Sequence, residues 1–230
     1  MDDNMFKLTL YTLLPGALAI GVYGIWQGRV KLQQMRELPA VIQAAGLQLF
    51  ENPQMQASFR FLPEFKPQPD GIERTRYAAK GRIRETDILT FVYDERRGRS
   101  IHPILVLIAT LPRPVVPLSI YTRRTVFGPI TPLGQQVFKT NNDLLDKTFR
   151  ISAVSQTDFN RMVTPELQKY LLENQDITQV EIAENAVALF NTDSRFFQWV
   201  NNNGIPSKAQ FEKRLQQVRE LQKMIAMAAE

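Results

Sequence analysis

The pattern of apolar and polar positions divides the chain into three regimes. From Leu8 to Gln27 it reads LTLYTLLPGALAIGVYGIWQ, twenty residues without Asp, Glu, Lys or Arg. A helix rises 1.5 Å per residue, so this run spans about 30 Å, the hydrocarbon thickness of a bilayer. The centre follows the two-residue period of strands. Arg76–Arg84 leads through Glu85-Thr86-Asp87 into Ile88–Tyr93, then DERRGRS turns the chain into Ile101–Leu111. LPRPVVP is expected to break that strand, and Leu118–Arg123 resumes an extended run. Short apolar stretches joined by polar turns predict an antiparallel meander. Lys147–Val154 alternates in the same way and predicts a further strand. Val180–Glu184 and Ala186–Phe190 predict a hairpin turning at Glu184-Asn185.

Helical spacing flanks this centre. Residues 29–45 predict a polar helix, interrupted at Pro39 and stopped by Gly46, with Leu47–Phe50 as a short strand. Residues 61–71, with three prolines and an Asp-Gly pair, predict a loop. Thr164-Pro165-Glu166 combines a cap, a first-turn proline and a first-turn acid, so a helix is expected to Asn174. Ser207 and Gln210 form a capping-box pattern. Behind it, Phe211, Leu215, Val218, Leu221 and Ile225 make an apolar stripe that needs a surface to cover it, by default the sheet of the same chain. The expected class is α+β: an N-terminal transmembrane helix, then a mostly antiparallel sheet packed with helices, including a C-terminal amphipathic one. The division is an anchor at 1–28, a juxtamembrane helix at 29–46 and a soluble domain at 47–230.

The first segment is read as a membrane span rather than a signal peptide or a core helix. A signal peptide needs a basic start and a shorter apolar run; here Asp2, Asp3 and Lys7 precede a long one. A core helix would carry a polar face. Leu8 opens the span, and Pro15-Gly16 marks a kink that a membrane helix tolerates. Gly16, Ala19, Gly21 and Gly24 are small enough for close helix contact, although glycine is common in spans generally. Tyr23 and Trp26 lie where an interfacial aromatic belt is expected. Arg29, Lys31 and Arg36 follow the span and only Lys7 precedes it. The positive-inside rule therefore puts the N-terminus outside and the large domain in the cytoplasm, or on the stromal-side equivalent.

Composition narrows the chemistry. The 230 residues contain no cysteine and one histidine, which excludes disulfides, thiol catalysis, cysteine-ligated zinc and a histidine-rich metal site. The net charge of +5 is concentrated: residues 73–124 hold eleven Lys and Arg against five acids. Such a zone faces anionic lipid, an acidic partner or nucleic acid. Nucleic acid is disfavoured, because the nearby Tyr77, Phe91 and Tyr93 are wanted for strand packing. Arg96, Arg97 and Arg99 form the densest basic cluster, on a predicted hairpin tip, and Arg123-Arg124 form a second. The plain reading is a solvated turn. The functional one is contact with anionic lipid, a phosphate-bearing ligand or an acidic partner.

No phosphate loop, dinucleotide fingerprint, HExxH, GxSxG or calcium loop occurs. His102, in IHPIL, reads as a packed strand histidine rather than a general base. Asp94-Glu95 and Asp143/Asp146 are scattered among turns, with no reason to converge on a metal. Phe196, Phe197 and Trp199 read first as core and second as a partner groove. No cofactor is expected, and no catalytic residue stands out.

Leu111-Pro112, Phe149-Arg150-Ile151, Asp158, Phe159, Thr164-Pro165 and Leu167 follow one another in an order that resembles a loose group of bacterial single-pass membrane proteins of unknown function. The resemblance covers roughly residues 75–225, rests on structural positions and brings topology without an activity. The expected role is therefore a non-enzymatic, membrane-anchored interaction, accessory or assembly factor with a protein partner near the bilayer. The alternative is a domain that binds anionic lipid or a phosphate-bearing ligand through the basic hairpin.

Overall fold

The computed structural model describes Trp26 and residues 29–30, 32–50, 75–97, 100–123, 131, 134–191 and 205–229, with the backbone alone at 75–76, 93–97 and 100–102. The order is α1 (32–44), β1 (Gln48–Leu49), β2 (Thr75–Ile83), β3 (Thr86–Arg97), β4 (Ser100–Thr122), β5 (Gln136–Phe138), α2 (Asp143–Thr148), β6 (Phe149–Ala153), α3 (Gln156–Met162), α4 (Pro165–Glu173), β7 (Gln179–Asn191) and α5 (Lys208–Ala228). The strands form one seven-stranded sheet in the order β1-β2-β3-β4-β6-β5, with β7 paired to β4. Every described pairing is antiparallel. The α+β class follows directly from the sequence pattern.

β4 organises the sheet. Its first half pairs with β3, from Arg97↔Ser100 to Ile88↔Ala109, and its second half with β6, from Leu118↔Ala153 to Thr122↔Phe149. β7 runs along both halves, from Leu105↔Asn191 to Tyr121↔Gln179. LPRPVVP therefore bends β4 without ending it. The register shifts between Thr110 and Val115 and again between Val115 and Leu118. Pro112, Pro114 and Pro117 sit in that irregular stretch, where a missing N–H costs no regular ladder bond. The expected hairpin in 180–190 is likewise one strand. Glu184 has φ +49°, as a turn would require, but it sits opposite Val115 and both halves of β7 pair with β4. The paired irregularities keep Leu105, Leu107, Leu118 and Ile120 on one face together with Val180, Ile182, Val187 and Leu189.

That face carries the main core. α1 contributes Leu38 and Ile42, α3 Phe159 and Met162, α4 Leu167 and Leu171, and α5 the whole expected stripe, Phe211, Leu215, Val218, Leu221 and Ile225. The other face of the first half holds a smaller apolar set: Phe91, Ile104, Val106, Ile108, Ala186, Ala188 and Phe190. Thr178 Oγ1 donates to the Phe190 carbonyl at 3.0 Å, although twelve residues separate them. A straight strand would hold those positions about 40 Å apart, so the β4–β7 ribbon curls back on itself. The helices pack against the first face.

Two further expectations are corrected. Pro39 lies within α1 rather than interrupting it. A mid-helix proline costs about 3 kcal/mol, whereas burying Leu38 and Ile42 together is worth about 3–6 kcal/mol, so packing prevails. Lys147 and Thr148 close α2, and β6 begins only at Phe149. Asn142 starts α2 by accepting from the Leu144 and Leu145 amides at 3.1 Å, a cap that the strand-like alternation behind it concealed. The capping boundaries of α4 (Thr164 to Asn174) and α5 (Ser207 with Gln210) are as expected.

α1 ends at Gly46, φ +86°, where Leu47 N bonds Ile42 O and Gly46 N bonds Gln43 O, the double closure typical of a helix ending in glycine. This turn sits directly on β2. A Cβ at Gly81 would lie 3.0 Å from the Gly46 carbonyl oxygen and 3.1 Å from Leu47 Cδ2. We expect Gly81→Ala to destabilise the chain by about 1–3 kcal/mol, read as a lowered urea midpoint with an unchanged denaturant slope. Neutral behaviour would show that the seat of α1 yields.

Candidate functional site

The most unusual side chain among the described residues is Glu181. It is a carboxylate in the middle of β7 and is 0% exposed. Its neighbours Val180 and Ile182 face the helical core, so Glu181 is turned to the second face. The register places Ser119 directly opposite it on β4, with Tyr121 two residues on along the same face. The Ser119 hydroxyl donates to Glu181 Oε2 at 2.5 Å, and the Tyr121 hydroxyl donates to Oε1. A carboxylate accepts only, so two hydroxyl donors suit its ionised form. A buried carboxylate without such partners would cost several kcal/mol.

The polar row continues across β6. Arg150 pairs with Tyr121 and Ser152 with Ser119. Arg150 Nη2 donates to Thr131 Oγ1 at 2.6 Å, and Ser152 Oγ donates to Gln135 Oε1 at 2.8 Å. One end of the curled second face is therefore a row of Glu, Tyr, Ser and Arg. The other end is the apolar set around Phe91, Val106 and Phe190. Such a row provides hydrogen-bond donors and opposite charges, with no histidine or cysteine among its members. Among the described residues, no group of His, Cys, Asp and Glu is arranged to hold a metal.

A second polar cluster fastens the curl. Arg214 of α5 donates through Nε to Asn191 Oδ1 at 2.8 Å, at the end of β7. It also donates through Nη1 to Asp176 Oδ2 at 3.0 Å and through Nη2 to the Asp176 carbonyl at 2.9 Å, just before β7 begins. Lys213 adds an ion pair to Asp176 at 2.7 Å, and Gln217 Nε2 donates to both Asn174 and Asp176. Burial pushes the Asp176 carboxyl up. The Lys213 hydrogen bond, the charges of Arg214 and Lys213 and the Gln217 bond outweigh that effect and hold it below its ordinary 3.8. Burial lowers the Arg214 guanidinium, and Asp176 acts in the opposite sense. Burial, and after it the hydrogen bond and charge of Glu220, raises the nearby Tyr170 hydroxyl beyond the range in which it ionises.

The residues singled out from the sequence are placed as follows. Arg96 and Arg97 end β3, opposite Ile101 and Ser100, so only residues 98 and 99 join β3 to β4 and the expected tip is confirmed at backbone level. Arg99 and Arg124 lie outside the described residues. Arg123 sits at the opposite end of β4, its Nε donating to the Phe149 carbonyl at 3.2 Å, so the two basic clusters occupy different ends of that strand. His102 is in β4 opposite Glu95. Asp146 caps its own loop, accepting from the Thr140 amide and hydroxyl. Trp26 is exposed, whereas Leu8, Pro15, Gly16, Tyr23, Phe196, Phe197 and Trp199 lie outside the described residues. Sequence reasoning missed Glu181. Its only signal was an acid between Val180 and Ile182 in a strand-like run, and partners 60 and 62 positions away leave no local trace.

Replacing Glu181 with Ala strands two buried hydroxyls, and we expect a loss of about 1–3 kcal/mol. Tyr121→Phe should cost a similar amount, and the double variant less than the sum, because both act on one carboxylate. Additive losses in urea unfolding would contradict the coupling. Asp176 has a depressed folded pKa, so its stabilisation is present above its unfolded value of about 3.9 and is lost as pH falls through the folded value. Asp176→Asn should therefore flatten stability against pH below about pH 4. An unchanged acid limb would remove Asp176 from the account.

No family model matches the sequence, and no curated protein does. Among solved structures the chain is similar to the crystal structure of the mycobacterial trehalose monomycolate transport factor A, TtfA, with a TM-score of 0.60 at 10% identity, covering 83% of this chain and 93% of that one. The likeness is one of fold: the same course of a mostly antiparallel sheet packed with helices.

Proposed function

We propose that this chain is a membrane-anchored, non-enzymatic accessory or assembly factor, whose α+β domain binds a protein partner in or near the bilayer. The observation that carries this reading is the fold shared with a transport factor over most of both chains. The uncharged run at residues 8–27 supplies the anchor. No described helix is long and apolar enough to cross a membrane, and the anchor segment lies outside the described residues apart from Trp26. In this reading the N-terminus is outside and the domain cytoplasmic, or on the stromal-side equivalent. The buried Glu181 row then serves the shape of the domain rather than a reaction.

A second reading draws on the β3–β4 register. It makes the domain a binder of anionic lipid or a phosphate-bearing ligand through Arg96, Arg97 and Arg99, with Arg123 and Arg124 forming a separate contact.

The anchor and its partner are tested together. The full chain should stay in the membrane fraction after alkaline carbonate, whereas a chain lacking residues 1–28 should be released. Protease added to intact cells should spare the domain. In-cell cross-linking from the domain should return components of one membrane complex in fixed ratio. Release of the full chain by carbonate, or digestion of the domain from outside, would overturn the anchor or its orientation. Cross-links without a recurring partner would overturn the accessory role.

A further inference from the structure

Three of the four described non-glycine residues with positive φ, Arg84, Glu85 and Glu184, lie off one end of the β3–β4 pairing. That pairing closes at Ile88↔Ala109. From there β3 leads back to Thr86 and the Arg84-Glu85 turn, while β4 runs on into its bend. Arg84 and Glu85 have φ +44° and +70°, the signs that a two-residue type I′ turn demands. Asn-Gly takes that shape readily, whereas the Cβ of Arg or Glu crowds the backbone there. In the bend, Leu111–Pro114 stand opposite the single residue Asn185, between Thr110↔Ala186 and Val115↔Glu184. Leu111 turns back into the core, and Pro112, Arg113 and Pro114 are pushed out into solvent.

α5 reaches the same end. Arg214 bonds Asn191, which pairs with Leu105, and Gln222 Nε2 donates to the Thr110 carbonyl at 3.2 Å. From Arg214 to Gln222 a helix advances about 12 Å, and from Leu105 to Thr110 a strand advances about 16 Å. α5 therefore follows the first half of β4 towards the bend. Its last turns carry Lys223 and Met227, and Met227 is 63% exposed. Arg84, Glu85, Arg113 and Glu184 are exposed, and among the described residues none of them makes a hydrogen bond or an ion pair. Arg82 and Asp87, beside the turn, face each other at 4.0 Å. This end of the domain thus holds unpaired charges of both signs in near balance, with one exposed apolar side chain.

We propose that this end is a docking surface for a second copy of the chain, with Arg84 and Arg113 of one copy meeting Glu85 and Glu184 of the other. A lipid surface or a nucleic acid calls for one sign of charge. A two-fold interface sets a patch against itself, so the patch must carry both signs, as this one does. Met227 supplies an adaptable apolar contact beside the charges. The strained turn fits the same reading, because left-handed non-glycine residues gather where a contact requires them. Here the domain itself provides no partner for the two side chains. The prolines on either side of Arg113 hold it extended before contact, which lowers the ordering cost of association. The inference does not depend on the anchor.

The absence of cysteine makes the test direct, because Asn185→Cys in the bend and Lys147→Cys near the far end of β4 each give a single reactive site. The purified full chain in mild detergent is treated with a short bis-maleimide. The copy-to-copy product should be several-fold more abundant from 185 than from 147. One chain then carries Arg84→Glu with Arg113→Glu, and another carries Glu85→Arg with Glu184→Arg, each in the Asn185→Cys background. Either chain alone should lose the product, since its patch then repels its own copy. An equal mixture of the two should restore it as a mixed pair, which also shows that both variants are folded. Equal yields at 185 and 147 would overturn the inference. So would a product at 185 that survives in both charge variants, or a mixture that fails to restore it. Cross-linking in cells from 185 to a different protein, with none between copies, would overturn the second copy as the occupant.

Discussion

The rest of the domain depends on the pairing of β4 with β7. These two strands run beside each other from Leu105↔Asn191 to Tyr121↔Gln179 and change register together near Val115 and Glu184. Each strand alone would flip its faces at such an irregularity, because side chains alternate with a period of two. With the irregularities matched, one continuous face remains for α1, α3, α4 and α5 to bury. The same bend lets the ribbon curl until Thr178 reaches the Phe190 carbonyl. Arg214 then spans the joint, with Asn191 on one side and Asp176 on the other.

Polar groups take over where apolar packing gives out. The second face of the curl is apolar along the first half of the ribbon and polar along the second, where Glu181, Ser119, Tyr121, Ser152 and Arg150 meet. Burying a carboxylate there is tolerated because the register itself aligns hydroxyl donors with it. An apolar pair would pack as well at less cost in desolvation. What the polar row adds is register: a slip of one residue would separate Glu181 from both donors and turn it to the helical face.

The seat of α1 ties the first described helix to the sheet. Gly81 admits the Gly46 turn, and the apolar side of α1 rests on the same core as α5. A helix held in this way transmits direction: whatever fixes its first turn in space fixes the sheet as well.

The uncharged run at residues 8–27, the α+β class, the central strands, the caps of α4 and α5 and the buried stripe of α5 were all legible in the chain, because each follows from local periodicity or a local cap. The basic tip was legible for the same reason, since two adjacent strand patterns that pair from Arg97↔Ser100 inward leave only residues 98 and 99 to turn. Other features were decided by tertiary structure. Pro39 stays inside a helix because Leu38 and Ile42 are buried around it. LPRPVVP and Glu184-Asn185 look like a break and a hairpin in isolation, and become one matched bend only when each strand has the other as its partner. Glu181 became visible as a site through Ser119 and Tyr121, about sixty positions away along the chain. Local sequence sets which elements form, because capping and periodicity act over a few residues. Which irregularities are tolerated and which charges are buried is set by contacts between strands that are distant in sequence, and no local pattern encodes those.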